Sequence, residues 1–406
     1  MTPAMRTIGV VTVARSDYGI YLPILHRITD DPGLALKLFV SGMHLSPEFG
    51  LTVRDIEKDG FPISQRVEML LASDSPEAIA KSLGLGAIGF AQAFAQQRPD
   101  ILLVLGDRFE MHAAALAALP FKIPVAHLHG GEITEGVIDD SLRHSITKLS
   151  HLHLVSTEAY ACRVRQMGEE GWRVIVCGAP ALDNIATVPL MLKPALENAL
   201  GFALEKPCLL ATFHPATLEF EEAEWKCGEL LLAIERLDTQ TVFTLPNADT
   251  GGRVISKLIK AFVLTHPKAR LVENLGTALY FNLMRYVGVM VGNSSSGIIE
   301  APSFGLPVVN IGSRQRGRAR GANVIDVTSH CDDITAGIRK ALTPEFRATC
   351  QEQPNPYSAG KNASAIIVDA LKSVPLGEKL AVKKFIDLQA ADAMQRMSRP
   401  TGAQLS

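Results

Sequence analysis

The chain has 406 residues, 40 of them Lys or Arg and 42 Asp or Glu, so its formal charge is −2, and 47% of it is apolar. This length suggests two or three compact units and excludes a single small module. The near-neutral balance leaves no basic stripe for wrapping nucleic acid or coating an anionic membrane, so any anionic ligand must be met locally.

At the N-terminus the apolar stretch Ile8 to Val13 stops at Arg15 and Asp17, short of the roughly 7–15 residues of a secretory core. The most apolar later stretch, Met111 to Phe121, contains Pro120 and is followed by Lys122, whereas a membrane span needs about 20 residues. Neither a signal peptide nor a spanning segment is expected. Cys162, Cys177, Cys208, Cys227, Cys331 and Cys350 show no C-x-x-C pair, which fits reduced thiols in a cytoplasmic protein.

In chain order, strands are expected at Ile8 to Val13, Leu36 to Val40, Ile101 to Leu105, Val125 to Leu128, Leu152 to Val155 and Val174 to Cys177. Amphipathic stretches separate most of them, the pattern of β-α-β units and a parallel sheet. A second series follows at Cys208 to Thr212, Thr241 to Leu245, Ala269 to Val272, Val287 to Val291 and Val308 to Ile311. Prolines 180, 189 and 194 punctuate the interval. The expected organisation is an α/β first domain over 1–189, an α/β second domain over 190–375 and a partly disordered helical tail over 376–406.

Gly84-Leu-Gly86-Ala-Ile-Gly89 matches a dinucleotide fingerprint literally, but it follows a helical run and not a strand. Close helix packing is expected there. In open parallel sheets ligands bind beyond the C-terminal strand ends, so polar residues just after the apolar runs carry the functional signal.

Five such exits stand out. After the first strand come Arg15, Asp17 and Gly19; after the Ile101 strand come Asp107, Arg108 and Glu110; after the Val125 strand comes His127-Leu-His129-Gly-Gly-Glu132. The spacing of His127 and His129 places them on one strand face, and a metal site completed by Glu132, His144, His151 or His153 is one reading. Asp139 and Asp140 open a helix that carries Arg143, and capping explains one of the two acids. In the second series His214 follows one strand, and Gly292-Asn-Ser294-Ser295-Ser296-Gly297 follows another. That small-residue turn opens a helix suited to a phosphate, and Arg314, Arg316, Arg318 and Arg320 could face the same anion. Serine where G-x-S-x-G needs its second glycine argues against a hydrolase elbow.

Taken together, the segments from Arg15 to Arg314 resemble the hydrolysing nucleotide-sugar 2-epimerases, and the H-x-H-G-G-E form resembles the bacterial branch serving sialic and legionaminic acid pathways. The resemblance implies a GT-B architecture, two Rossmann-like doubly wound domains with the substrate between them, and a homodimer or homotetramer. It implies anti elimination of UDP to a glycal followed by hydration with inversion at C2, and it implies no metal or other cofactor. Catalytic positions carried over are Asp107, Asp139 and His214, with His129 or Glu132 in the place of the family's usual glutamate. UDP-sugar positions are Arg15, Arg108, Asn247, Ser294, Ser295, Glu300 and Arg314. The expected substrate is UDP-N-acetylglucosamine, giving N-acetylmannosamine; the alternatives are UDP-N,N'-diacetylbacillosamine or, from another class, glycosyl transfer on the same fold.

Overall fold

The computed structural model of the protein describes residues 5–387 except 136, 247–250, 274, 353 and 361. Two parallel sheets follow one another along the chain. The first contains β1 (Arg6–Thr12), β2 (Leu34–Ser41), β3 (Ile63–Val67), β4 (Ile101–Leu105), β5 (Val125–Leu128), β6 (Leu152–Val155) and β7 (Val174–Val176). Their spatial order is β3-β2-β1-β4-β5-β6-β7. The second contains β8 (Cys208–Thr212), β9 (Gln240–Thr244), β10 (Ala269–Leu271), β11 (Val289–Gly292), β12 (Val308–Ile311) and β13 (Val324–Val327). Its order, β10-β9-β8-β11-β12-β13, repeats that of the first. This is the expected pair of doubly wound domains.

Central strands such as β5, β8 and β11 are buried along their whole length because helices cover both sheet faces. Strands β3 and β13 were not expected from the sequence. Both lie at sheet edges, only Val67 of β3 is buried and no residue of β13 is, so their apolar runs are weak. Strand order reverses between β1 and β4 and again between β8 and β11. These two switch points are where an open parallel sheet leaves a crevice beyond its strand ends.

The helix Pro76–Gln96 contains the Gly84–Gly89 motif. A Cβ at Gly86 would lie 2.5 Å from Met69 Cε and 3.0 Å from Ala113 Cβ, so close packing accounts for that glycine, as expected. By length and composition alone this helix could cross a membrane. Its Phe90 and Phe94 are instead buried in the first core.

The chain does not stay with the second sheet to residue 375. The helix Ala363–Ser373 packs on the helix Arg15–Asp30, and Ile367, Val368 and Leu371 enter the first core. Asp183 accepts from the amides of Ala363 and Ser364, and Arg6 donates to Leu371 O at 2.5 Å. The beginning of the expected tail is likewise fixed. Buried Arg173 donates to the carbonyls of Lys379, Leu380 and Val382, while Lys383 Nζ reaches Ser150 O and Glu169.

Glu169 is the electrostatic centre of this strap, ringed by His153, Lys148 and Lys383. Burial alone would raise its carboxyl, but those three partners hold it down at about 2. A carboxyl with a depressed folded-state pKa contributes stability above its ordinary pKa of 4.5 and loses it as pH falls toward 2. Glu169→Gln should therefore cost about 3 kcal/mol at pH 7 in urea unfolding, and the gap to wild type should close as the pH is lowered through that window.

Candidate active site

A cavity of about 1880 Å3 lies between the two sheets' C-terminal edges. Arg15, Asp107, Arg108, His129, Glu132 and Asp139 line it from the first domain; His214, Ser294, Ser295, Glu300 and Arg314 line it from the second. Both switch points thus open into one space, with Arg15 and Asp107 beyond β1 and β4 and His214 and Ser294 beyond β8 and β11. Every described position that the family resemblance implied is brought there; Asn247 lies outside the described residues.

On the first wall the decisive side chain was only noted in passing in the sequence. Arg143 is buried and forks, one Nη bonding Asp107 and the other donating to the carbonyl of His129 at 3.0 Å. Its planar guanidinium makes both contacts at once. The sequence signal was its place on the helix Ile138–Leu149, one turn after Asp139. Asp140 accepts from Thr134 N at 2.8 Å, so it is the structural member of the acidic pair, while Asp139 lines the cavity. Arg108 pairs with buried Glu110 at 3.0 Å beside the same turn.

The two histidines of His127-Leu-His129 do not form a joint site. Strand β5 ends at Leu128, and His129 adopts a left-handed backbone with φ +60°, which turns it out of register with His127. His127 stays under the sheet edge, within 2.7 Å of Gly106 O. His129 faces the cavity, its Nδ1 2.6 Å from Glu132 Oε1 and its Nε2 without a hydrogen-bond partner among the described residues. The other histidines weighed as metal ligands have different partners: His144 pairs with Asp140, His151 meets Val125 N and His153 meets Glu169.

Glu132 is buried, accepts from Ser156 Oγ at 3.0 Å, and faces Arg318 at 3.3 Å and Arg143 at 3.9 Å. Burial pushes its carboxyl up, but Arg318, His129 and Arg143 outweigh that and hold it well below the usual carboxylate range.

On the second wall Gly292 has φ +131°, and a Cβ there would sit 1.9 Å from Thr212 O, so only glycine lets β11 turn against β8. The following Asn293 locks the neighbouring exit, accepting from His214 N at 2.7 Å and donating to His214 O at 2.8 Å. Burial, then Arg314 and Arg108, keep the His214 ring neutral, far below its ordinary pKa. Glu300 is pushed up to about 7 by burial.

The helix expected after the serines is only Ser296–Ile299, too short for a substantial dipole. The helix dipole therefore offers little to an anion on this wall, and the side chains are what remain. Of the four arginines expected to face it, Arg314 and Arg318 do; Arg316 is 69% exposed near Glu135, and Arg320 pairs with Asp326.

Because Arg143 is the buried partner of Asp107, removing it strands that acid. Arg143→Met should lower unfolding stability by about 3 kcal/mol in urea, and combining it with Asp107→Asn should cost clearly less than the two single changes added.

The sequence profile of the family described as UDP-N-acetylglucosamine 2-epimerase matches residues 26–372. The chain is 41% identical to a Campylobacter jejuni protein described as GDP/UDP-N,N'-diacetylbacillosamine 2-epimerase (hydrolyzing), across 94% of this chain and 99% of that one. It is 38% identical to the Legionella pneumophila UDP-N,N'-diacetylbacillosamine 2-epimerase (hydrolyzing), across 93% and 99%. Among solved structures it resembles a UDP-GlcNAc 2-epimerase from Neisseria meningitidis bound to UDP-GlcNAc, with a TM-score of 0.77 at 20% identity over 90% of this chain and 99% of that one. With its two sheets, its interdomain cavity and these relatives, the chain belongs to the UDP-N-acetylglucosamine 2-epimerase family and, within it, to the hydrolysing nucleotide-sugar 2-epimerases.

Proposed function

We propose that the protein converts a UDP-linked 2-acetamido sugar and water into UDP and the free sugar inverted at C2, a cytoplasmic step toward nonulosonic acids. The observation that carries this reading is the opposition, across one cavity, of Asp107 and Asp139 to Ser294, Ser295 and Arg314. A weakly acidic C2 proton needs a carboxylate against it, and a departing diphosphate needs cations and donors.

In this reading Asp107, fixed by Arg143, takes the C2 proton as the C1–O bond breaks. Ser294, Ser295, Arg314 and Arg15 hold the diphosphate, Glu300 holds the nucleoside side, neutral His214 offers an N–H to the leaving phosphate, and Asn247 is a ligand-side position by the family pattern. Arg108 and Asp139 border the sugar.

For the sugar itself, the reading best supported is N,N'-diacetylbacillosamine. The Campylobacter and Legionella relatives carry it in their names. The cavity wall beside Arg108 is also apolar: Met43, Leu70, Ile79 and Leu105 line it while packing on the first core. A 6-methyl and a 4-acetamido methyl suit such a wall better than the hydroxyls of N-acetylglucosamine, which is the second reading and the ligand of the Neisseria structure.

A second copy of the chain is the partner proposed. Leu85 and Ile88 on one helix and Leu116 and Leu119 at the end of the neighbouring one are 37–61% exposed, an apolar face of the kind that homo-oligomers bury. Ile88→Asp should lower the mass found by sedimentation equilibrium.

Turnover in D2O with EDTA, followed by proton and phosphorus NMR, tests the activity. Free UDP and a C2-inverted sugar deuterated at C2 are expected, with kcat/KM at least tenfold higher for UDP-N,N'-diacetylbacillosamine than for UDP-N-acetylglucosamine, and the GDP-linked sugar is compared because the Campylobacter name allows it. Asp107→Asn should lose at least about 100-fold in kcat while still binding UDP. A requirement for an acceptor sugar would point instead to glycosyl transfer.

A further inference from the structure

Inversion at C2 requires two proton-transferring groups, because the proton that leaves one face must be replaced on the other. Asp107 supplies one. The second is built around His129. This imidazole is buried, lines the cavity, and offers a single atom, Nε2, that no described group engages. Its other nitrogen is clamped at 2.6 Å by Glu132. That is the geometry of a carboxylate-oriented histidine, in which the acid fixes the ring and stabilises its charged form while the free nitrogen meets substrate.

Glu132 is in turn over-determined. Ser156 donates to the oxygen that holds His129, and Arg318 of the second domain stands 3.3 Å from the other oxygen. Arg318 is buried, its Nε and Nη1 have no hydrogen-bond partner among the described residues, and it lines the same cavity. Its loop closes on the loop after Glu132, where a Cβ at Gly317 would lie 2.7 Å from Ile133. The guanidinium can therefore hold Glu132 with one edge and a diphosphate oxygen with the other.

Resting on the activity proposed above, we infer that His129 is the acid that reprotonates C2 in the hydration step, with Glu132 as its positioning residue and Arg318 coupling that pair to the bound nucleotide. In the elimination Asp107 takes the C2 proton, the C1–O bond breaks and UDP leaves with the bonding pair, leaving C1=C2. In the hydration the proton on Nε2 of the imidazolium goes to the opposite face of C2, the oxygen of water adds at C1, and the proton of that water returns to Nε2. The proton on Asp107 passes to solvent, which accounts for the acid released with UDP. The Arg143 fork holds the two groups apart, one Nη on Asp107 and the other on the His129 carbonyl.

The test exploits the left-handed backbone of His129, which glycine adopts without strain. His129→Gly leaves a hole of imidazole size. It should still bind and release UDP, but with the 2-acetamidoglycal as main product, and its rate of forming inverted sugar should fall on the order of 10^3-fold. Added imidazole should restore sugar formation saturably in His129→Gly and not in His129→Gln, where the hole is filled. Glu132→Gln should lose kcat on the order of 100-fold with KM within threefold, and Glu132→Asp should recover part of it.

Inverted-sugar formation within threefold of wild type in His129→Gly overturns the inference. So does loss of sugar that imidazole leaves untouched while UDP binds normally, or loss of UDP binding in both His129 variants, which would make the residue a structural support. A wild-type chain that releases no UDP from any of the nucleotide sugars overturns the proposed activity instead.

Discussion

Much of the site hangs on one buried guanidinium. Arg143 reaches from the helix Ile138–Leu149 to the turn after β4 and to the turn after β5, so two exits of the first sheet share a single planar anchor. A lysine would supply the charge without the fork, and the relative placement of Asp107 and His129 would then depend on loop backbone alone. The same group, with Arg318, also lets a carboxylate as buried as Glu132 remain ionised. Stability and chemistry are thus drawn from the same few hydrogen bonds, and for that reason the arginine cannot be exchanged without disturbing both.

Around this anchor the fold repeats one arrangement twice and gives the copies different work. Each sheet reverses its strand order after its first strand, and each presents its polar exits at that reversal. The first copy holds the acids and the imidazole to which the proposed reaction gives proton transfer. The second holds small residues and arginines suited to an anion, where Gly292 lets the backbone pass against Thr212.

The strand exits were legible because a parallel sheet announces its strands as continuous apolar runs and its ligand groups follow at once. Asp107, His129, Glu132, His214 and Ser294 were all found that way. What stayed hidden depended on distant partners or on local backbone sign. Strands β3 and β13 are half-exposed edges and read as loop. Arg143 looks like a surface cation until the chain folds over it, and the contact of Arg318 with Glu132 needs both lobes in place. The turn of His129 away from His127 rests on a left-handed residue that no side-chain pattern reveals. The return of Ile367 and Leu371 to the first core is a pairing across more than 300 positions, marked by Arg6 reaching Leu371.

That return changes the mechanics of the whole molecule. The chain crosses from one lobe to the other between Asn184 and Met191, and crosses back between Asn355 and Ala363. Two connections side by side act like the two screws of a door hinge: they permit opening and closing about the line that joins them and oppose twisting about the long axis. Tyr160 and Tyr357, bonded hydroxyl to hydroxyl and to the backbone of Ala319, lie beside that line. Arg318 and Glu132 meet at 3.3 Å beside this double connection, so the registration of the two walls is set by the path of the chain before any ligand arrives.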